Sequence, residues 1–185
     1  MKKYKIGVIV GSLRKESYNL KTAETLMEIA PESLSFEMIE IADLPMFNED
    51  LEENPPKEWV SFKKQVEAKD GVLFLTPEYN RSVPAVLKNA IDVASRPYGH
   101  NSWDGKPAGI VSVSIGAISG FGANHHLRQS LVFVNMRTMA QPEAYIGGAG
   151  SLFDEEGKLI NESTKEFLHT WMNSFEEWIY SNVKK

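Results

Sequence analysis

The chain has 185 residues, 42% of them apolar, and carries a formal net charge of −5 at pH 7. This length and composition are typical of a globular domain, and the negative charge disfavours a nucleic-acid partner because no excess of cations remains to neutralise phosphates. The chain has no cysteine, which excludes disulfides, thiolate nucleophiles, iron–sulfur clusters and cysteine-based zinc sites. The apolar stretch before Gly11 and Arg14 is too short for a signal peptide, so we expect a cytoplasmic protein that does not insert into membranes.

Short apolar segments alternate along the chain with segments of helical periodicity. In chain order, strands are predicted near residues 4–10, 35–40, 71–76, 108–114 and 139–146. The runs YKIGVIV and GVLFLT are continuous and rich in β-branched residues, which is typical of parallel strands that are buried on both faces.

Helices are predicted between the strands and after the last one, from apolar residues that recur on one face. The first four faces contain Leu20, Ala23, Met27 and Ala30; Trp59, Phe62 and Val66; Val86, Leu87, Ala90, Ile91 and Ala94; and Leu127, Leu131 and Val134. The last helix is the clearest, with Phe167, Leu168, Trp171, Phe175, Trp178 and Ile179 on one stripe. Its start, STKE, is predicted to form a capping box from Ser163 to Glu166.

This alternation predicts one three-layer α/β domain over residues 1–185, with a five-stranded parallel sheet and right-handed crossovers. In open parallel sheets, ligands bind beyond the carboxyl ends of the strands, where the strand order reverses. The turns after the first, third and fourth strands are therefore the candidate ligand site. They read GSLRKESYN, PEYNRSVP and SIGAISGFGANHH.

The first turn has the composition of a phosphate site. A helix N-terminus offers unpaired backbone N–H groups and a partial positive charge, which favour an anion. Ser12, Ser17 and Asn19 add side-chain donors, and Arg14 adds a charged one. The alternative is an ordinary turn in which Ser17 caps the helix and Arg14 is solvated. The GK[ST] ending of triphosphatase loops and the G-x-G-x-x-G of dinucleotide-binding folds are both absent.

The second turn is stiffened by Pro77 and Pro84, which fix φ and remove N–H donors. Ser82 is a candidate N-cap for the helix that follows. A rigid turn that exposes the backbone amides of residues 78–80 suits the polar edge of a flat heterocycle. The alternative is a rigid loop with Tyr79 in the core or in a subunit contact, and with Arg81 solvated.

In the third turn, Val113, Ser114 and Gly116 are expected to border the same crevice. His125 and His126 follow, but adjacent side chains on a helix point about 100° apart, so no metal site is predicted. Trp103, in YGHNSWDGKP, is expected beside the crevice, where it would line the pocket or contact another subunit.

GSLRKESYN after the first strand, together with PEYNRSVPAVLKNAIDVASRP after the third, resembles the NAD(P)H-dependent FMN reductase family, and its bacterial quinone and chromate reductases in particular. The likeness extends through HHLRQSLVFVNM and PEAYIGG, so it covers nearly the whole chain. The resemblance implies a flavodoxin-like three-layer sandwich with strand order 2-1-3-4-5 and with FMN at the switch point.

The resemblance also implies which residues contact FMN. The first turn would surround the phosphate, the PEYN segment would lie along the isoalloxazine ring, and a third loop would contact the flavin after the fourth strand. The implied set is Ser12, Leu13, Arg14, Lys15, Ser17, Tyr18, Asn19, Pro77, Glu78, Tyr79, Asn80, Val113 and Ser114. No side chain is assigned as a catalytic acid or base, Glu78 included, because the redox chemistry belongs to the cofactor.

The implied activity is ping-pong hydride transfer through bound FMN, from NADH or NADPH to quinones and to other acceptors such as chromate, azo compounds or free flavin. The resemblance further implies a homodimer or a homotetramer. A flavodoxin-type electron carrier, or a flavin-binding sensor without turnover, is the alternative. A dinucleotide-binding enzyme without flavin is disfavoured by the missing glycine motif.

Overall fold

The computed structural model describes residues 3–183, in which strands and helices alternate. The strands are β1 (Tyr4–Val10), β2 (Leu34–Met38), β3 (Gly71–Thr76), β4 (Pro107–Val113), β5 (Arg137–Thr138) and β6 (Ala144–Ile146). The helices are α1 (Tyr18–Glu28), α2 (Lys57–Glu67), α3 (Ala85–Ser95), α4 (Phe121–Phe133) and α5 (Glu162–Asn182). Among residues 3–183, no helix has the length and hydrophobicity needed to cross a bilayer.

The strands form one parallel sheet in the order β2-β1-β3-β4-β5, and β6 also pairs with β4. This order confirms the predicted flavodoxin-like fold. Val10 of β1 lies opposite Leu75 of β3, and Thr76 of β3 lies opposite Ser112 of β4. The carboxyl ends of β1, β3 and β4 therefore reach the same edge of the sheet, where the strand order reverses.

The two faces of the sheet carry separate apolar cores. Along β3, Leu73 and Leu75 point to one core, whereas Val72 and Phe74 point to the other, as the two-residue period of a strand requires. The first core lies under α1 and α5, and the second under α2, α3 and α4. This arrangement explains why the sequence of β3 is apolar throughout, and it gives the three layers that were predicted.

Of the predicted fifth strand, residues 139–146, only Ala144–Ile146 (β6) is a strand, and a further short strand, β5, lies just before that range. β5 pairs with the start of β4 and β6 pairs with its end. Pro142 lies between them and has no N–H to donate to a ladder. The prediction of one continuous strand at this edge was therefore wrong.

Two predicted helix caps were also wrong. α5 begins at Glu162, and the Oδ1 atom of Asn161 accepts the backbone N–H of Thr164 at 3.0 Å. Asparagine caps a helix as well as serine does, and here it stands two residues before Ser163, which lies in the first turn. α3 begins after Pro84 with no side-chain cap, because Ser82 belongs to the preceding turn.

Trp103 is part of the core, so the expectation that it lines the crevice or a subunit contact was wrong. Its side chain is 0% exposed and packs against Phe62 and Phe74. The indole N–H donates to the carbonyl of Ile91 at 3.0 Å. Burial of a large ring with its polar atom satisfied stabilises this loop more than exposure at the crevice would.

Candidate functional site

The three predicted turns meet at the carboxyl edge of the sheet. The N–H of Gly11 donates to the carbonyl of Leu75 at 2.8 Å, which joins the ends of β1 and β3. The Nδ2 atom of Asn19 donates to the carbonyl of Val113 at 3.2 Å, which joins the start of α1 to the end of β4. These hydrogen bonds bring residues 11–19, 77–82 and 113–120 together at one edge of the sheet, where a crevice at the switch point is expected.

The first turn is open, and its donors are unused. Leu13, Arg14 and Lys15 are exposed, and Ser12 is half-buried. Within residues 3–183, the backbone N–H groups of residues 12–16 donate no hydrogen bond, and the Arg14 guanidinium makes no ion pair. These groups are available to an anionic ligand, as the composition of the turn predicted.

Ser17 and Tyr18 have defined roles within the protein. Ser17 caps α1, because its Oγ atom accepts the backbone N–H of Leu20 at 3.2 Å. The Tyr18 ring stacks on Phe153 with 5.8 Å between the ring centroids. Ser17 thus has the capping role that was considered as the alternative, while the donors around it remain free for a ligand.

Asn19 contains a buried atom without a partner. The residue is 4% exposed, and among the described residues its Oδ1 atom has no hydrogen-bond donor. Leaving a buried acceptor unsatisfied costs about 1–3 kcal/mol, so a hydroxyl from a ligand would stabilise this position. The first turn therefore combines donors for an anion with an acceptor for a hydroxyl group.

The second turn is tight and closed on itself. The backbone N–H of Tyr79 donates to the carbonyl of Ser82 at 3.1 Å, and the N–H of Ser82 donates to the carbonyl of Tyr79 at 3.0 Å. Asn80 and Arg81, between them, both have positive φ, at 50° and 64°. Tyr79 is 48% exposed, so it does not pack in the core. The turn is closed by these two backbone hydrogen bonds, and the stiffness expected from its prolines stays a prediction.

Glu78 is directed at α4. One carboxylate oxygen accepts the backbone N–H of Ala123 at 3.1 Å, and the other accepts a hydrogen bond from the Arg81 guanidinium at 2.8 Å. Burial alone would raise the pKa of the Glu78 carboxyl, but the N–H groups of Ala123 and Gly122 and the Arg81 charge outweigh it and lower that pKa. Glu78 is therefore ionised at neutral pH, and its side chain has no proton to donate.

Val113 and Ser114, in the third turn, use their backbone groups internally. The carbonyl of Val113 accepts from Asn19, and the N–H of Ser114 donates to the carbonyl of Ile146 at 2.9 Å. Large exposed apolar side chains follow between the end of β4 and the start of α4: Ile115 is 71% exposed, Ile118 is 53% exposed and Phe121 is 49% exposed. The third turn thus contributes an apolar rim, which sequence reasoning missed.

A second cluster that the sequence did not reveal lies beside this turn. The Phe121 and His125 rings are 4.2 Å apart between centroids, and the Nε2 atom of His125 lies 2.9 Å from the Tyr145 hydroxyl. Burial, and then a hydrogen bond to Glu143, raises the pKa of Tyr145 to about 12. The adjacent His126 forms a 3.0 Å hydrogen bond with the Ser82 hydroxyl. The cluster joins the start of α4 to residues 143–145, two segments about 20 positions apart in the sequence, and neither segment alone indicates that they meet.

These features fit the group that the resemblance implies. The first turn offers unpaired N–H groups and a free guanidinium for a phosphate, and the orphaned oxygen of Asn19 suits a hydroxyl of a ribityl chain. The second turn offers a rigid surface for a flat ring. The assignment of the individual residues to FMN stays a prediction.

Three comparisons with known proteins agree with one another. A family model described as NADPH-dependent FMN reductase matches residues 4–151. A quinone reductase from Pseudomonas putida is 58% identical over 180 residues, which cover 97% of this chain and 96% of that protein. A 2-hydroxy-1,4-benzoquinone reductase from Burkholderia sp. is 42% identical over 175 residues, which cover 95% and 96% of the two chains. The solved structure of FerB, a flavoenzyme NAD(P)H:(acceptor) oxidoreductase from Paracoccus denitrificans, superposes with a TM-score of 0.92 at 40% identity, over 98% of this chain and 100% of that one.

Proposed function

Because the chain belongs to the NADPH-dependent FMN reductase family, we propose that it is a flavoenzyme that carries electrons from NADH or NADPH to quinones through bound FMN. The single observation that carries this proposal is the meeting of an open, donor-rich turn and a rigid turn at the switch point of the sheet. Relatives named for quinone reduction match nearly the full length of the chain, which supports a quinone as the acceptor.

Each side of the crevice has a separate role in this proposal. Around the phosphate, the donors would be the backbone of residues 12–16 and the side chains of Ser12, Arg14 and Ser17, with Leu13, Lys15 and Tyr18 completing the surface. The Oδ1 atom of Asn19 would accept from a ribityl hydroxyl beside the phosphate. The ring would be held by Pro77, Glu78, Tyr79 and Asn80 in the second turn and by Val113 and Ser114 in the third. The side chain of Glu78 is directed away, so its contribution to the ring site is its backbone.

Bound FMN supplies the redox chemistry, because its ring accepts a hydride from the nicotinamide and passes electrons to the acceptor. The protein binds and orients the reactants. The backbone N–H groups of Glu78 and Asn80 donate no hydrogen bond within residues 3–183, so they would be available to stabilise negative charge on the ring. The exposed side chains of Tyr79, Ile118 and Phe121 offer apolar contacts to the flat rings of nicotinamide and quinone.

The breadth of acceptors, the assembly and the location are parts of the same proposal. An open ring face also admits chromate, azo compounds and free flavin.

Tyr98 is 92% exposed and Phe133 is 91% exposed on the side of α3 and α4, and exposed aromatic groups of this kind favour a homodimer or homotetramer. A cytoplasmic location is proposed because the reaction consumes NADH or NADPH.

The proposal is tested with the purified protein and added FMN. We expect a flavin absorption spectrum that bleaches when NADH or NADPH is added without oxygen and recovers when benzoquinone is added, with steady-state turnover. A protein that takes up no FMN would overturn the proposal. A protein that binds FMN but shows negligible turnover would instead support the electron carrier or the sensor.

A further inference from the structure

Glu78 lies at the surface turn that follows β3, yet its side chain is only 9% exposed. Its carboxylate accepts hydrogen bonds from the backbone N–H of Ala123 at the start of α4 and from Arg81 in its own turn. We infer that Glu78 is a positioning residue: its carboxylate fixes the ring-side turn, residues 77–82, against α4 and thereby sets the affinity for the flavin ring. This inference rests on the proposed function.

The conformation of the turn needs external support. Asn80 and Arg81 both adopt left-handed backbone conformations, and each such non-glycine residue costs of order 1–3 kcal/mol. Asparagine tolerates this conformation better than arginine does. The ion pair from Glu78 holds the side chain of Arg81, the residue where the backbone conformation is least favourable.

α4 approaches the turn closely enough to serve as its anchor. A Cβ atom on Gly122 would lie 2.9 Å from the Arg81 carbonyl oxygen and 2.9 Å from a carboxylate oxygen of Glu78, so a glycine is needed there. The first backbone N–H groups of a helix have no partner within the helix, and the Glu78 carboxylate satisfies that of Ala123. The hydrogen bond between His126 and Ser82 anchors the other end of the turn to the same helix.

This anchoring affects the ring end of the ligand. The backbone N–H groups of Glu78 and Asn80 point their hydrogens to fixed positions only while the turn is held. Among the described residues, the Glu78 carboxylate has its hydrogen-bond partners in Ala123 and Arg81, and neither belongs to the phosphate turn. A positioning role therefore predicts equal losses of affinity for FMN and for riboflavin, which lacks the phosphate.

The test compares the affinities of flavin-free protein for FMN and riboflavin, measured by quenching of flavin fluorescence. Glu78→Ala removes all the hydrogen bonds, and we expect about tenfold weaker binding of both ligands. Glu78→Gln keeps an acceptor oxygen for α4, and Arg81→Ala removes only the ion pair. Each of these variants should therefore bind FMN and riboflavin roughly two- to threefold more weakly than the wild type. Lys64 is an exposed cation beside Lys5, near the opposite edge of the sheet. The variant Lys64→Ala is therefore the control and should change neither affinity.

The absorption spectrum of the bound flavin gives a second readout, because a ring in a loosened site has a band shape closer to that of free flavin. The inference would be overturned if the Glu78→Ala variant bound both flavins with unchanged affinity. It would also be overturned if the variant lost affinity for FMN but not for riboflavin. If Glu78→Ala does not fold, unchanged riboflavin affinity in both Glu78→Gln and Arg81→Ala would overturn it. Wild-type protein that binds neither flavin would overturn the proposed function and this inference with it, whereas a failure confined to the variants would overturn the inference alone.

Discussion

The two turns that border the crevice differ in how many of their own groups they satisfy. In the phosphate-side turn, the N–H groups of residues 12–16 donate no hydrogen bond within residues 3–183, and the exposed Arg14 makes no ion pair. In the ring-side turn, Tyr79 and Ser82 exchange two backbone hydrogen bonds, and Glu78 and Ser82 are each bonded to α4.

The difference shows how one site can combine two binding strategies. A phosphate brings its own acceptors, so the first turn can remain unsatisfied until the ligand binds. A flat ring offers few directional groups, so its binding gains from a surface that is already ordered before the ligand arrives. We therefore expect changes in the first turn to act through direct contacts, and changes in the second to act through geometry and charge.

The largest effect is expected from Arg14→Ala. Removal of a charged donor to the phosphate should weaken FMN binding by about 1.5–3 kcal/mol and leave riboflavin binding unchanged. Calorimetric titration of flavin-free protein with both ligands measures the difference, and Lys64→Ala serves as the control for loss of one exposed cation. FMN affinity equal to that of the wild type would show that Arg14 is solvated and does not contact the phosphate.

A smaller effect is expected at Ser17, where two substitutions separate capping from phosphate binding. Ser17→Ala should lower the free energy of unfolding of the flavin-free protein by about 1 kcal/mol, because the N–H of Leu20 loses its acceptor. Ser17→Asp should restore that stability, since aspartate is a good N-cap, but should weaken FMN binding by placing a carboxylate beside the phosphate.

Denaturant unfolding and FMN titration of both Ser17 variants provide the two measurements. Undiminished FMN affinity in Ser17→Asp would mean that Ser17 caps α1 and lies away from the phosphate. Ser61→Ala, on the exposed surface of α2, controls for the loss of one hydroxyl.

The parts of the fold that were predicted from the sequence are those whose environment is uniform along a segment. β1 and β3 are buried on both faces, so their residues form continuous apolar runs, and α5 shows its buried stripe in its spacing. The donors of the first turn were predictable for a similar reason, since composition alone marks a helix start that suits an anion.

The parts that were not predicted depend on contacts between distant segments. The spacing of PEYN does not orient the Glu78 side chain, which turns to α4 because unpaired N–H groups lie there. Trp103 is buried by Phe62 and Phe74, which are 41 and 29 positions earlier in the sequence. Ile115 and Ile118 of the apolar rim lie in the loop before α4, and Phe121 is the first residue of that helix, so no periodicity in the sequence shows which of these side chains face solvent.

The smallest effect is expected from Asn80→Asp, which changes charge at the ring-side turn with little change in geometry. Asn80 has a φ of 50°, and aspartate tolerates the left-handed region as asparagine does, so the turn should keep its shape. A negative charge at this exposed position close to the ring should disfavour the reduced, more negative flavin by about 0.7 kcal/mol. That corresponds to a two-electron midpoint potential lower by roughly 15 mV. Redox titration of the bound flavin measures the shift, and Asn173→Asp on the exposed surface of α5 introduces the same charge away from the crevice. If the bound flavin has the same midpoint potential in the wild type and in Asn80→Asp, the ring does not lie beside Asn80. The second turn would then not form part of the ring site.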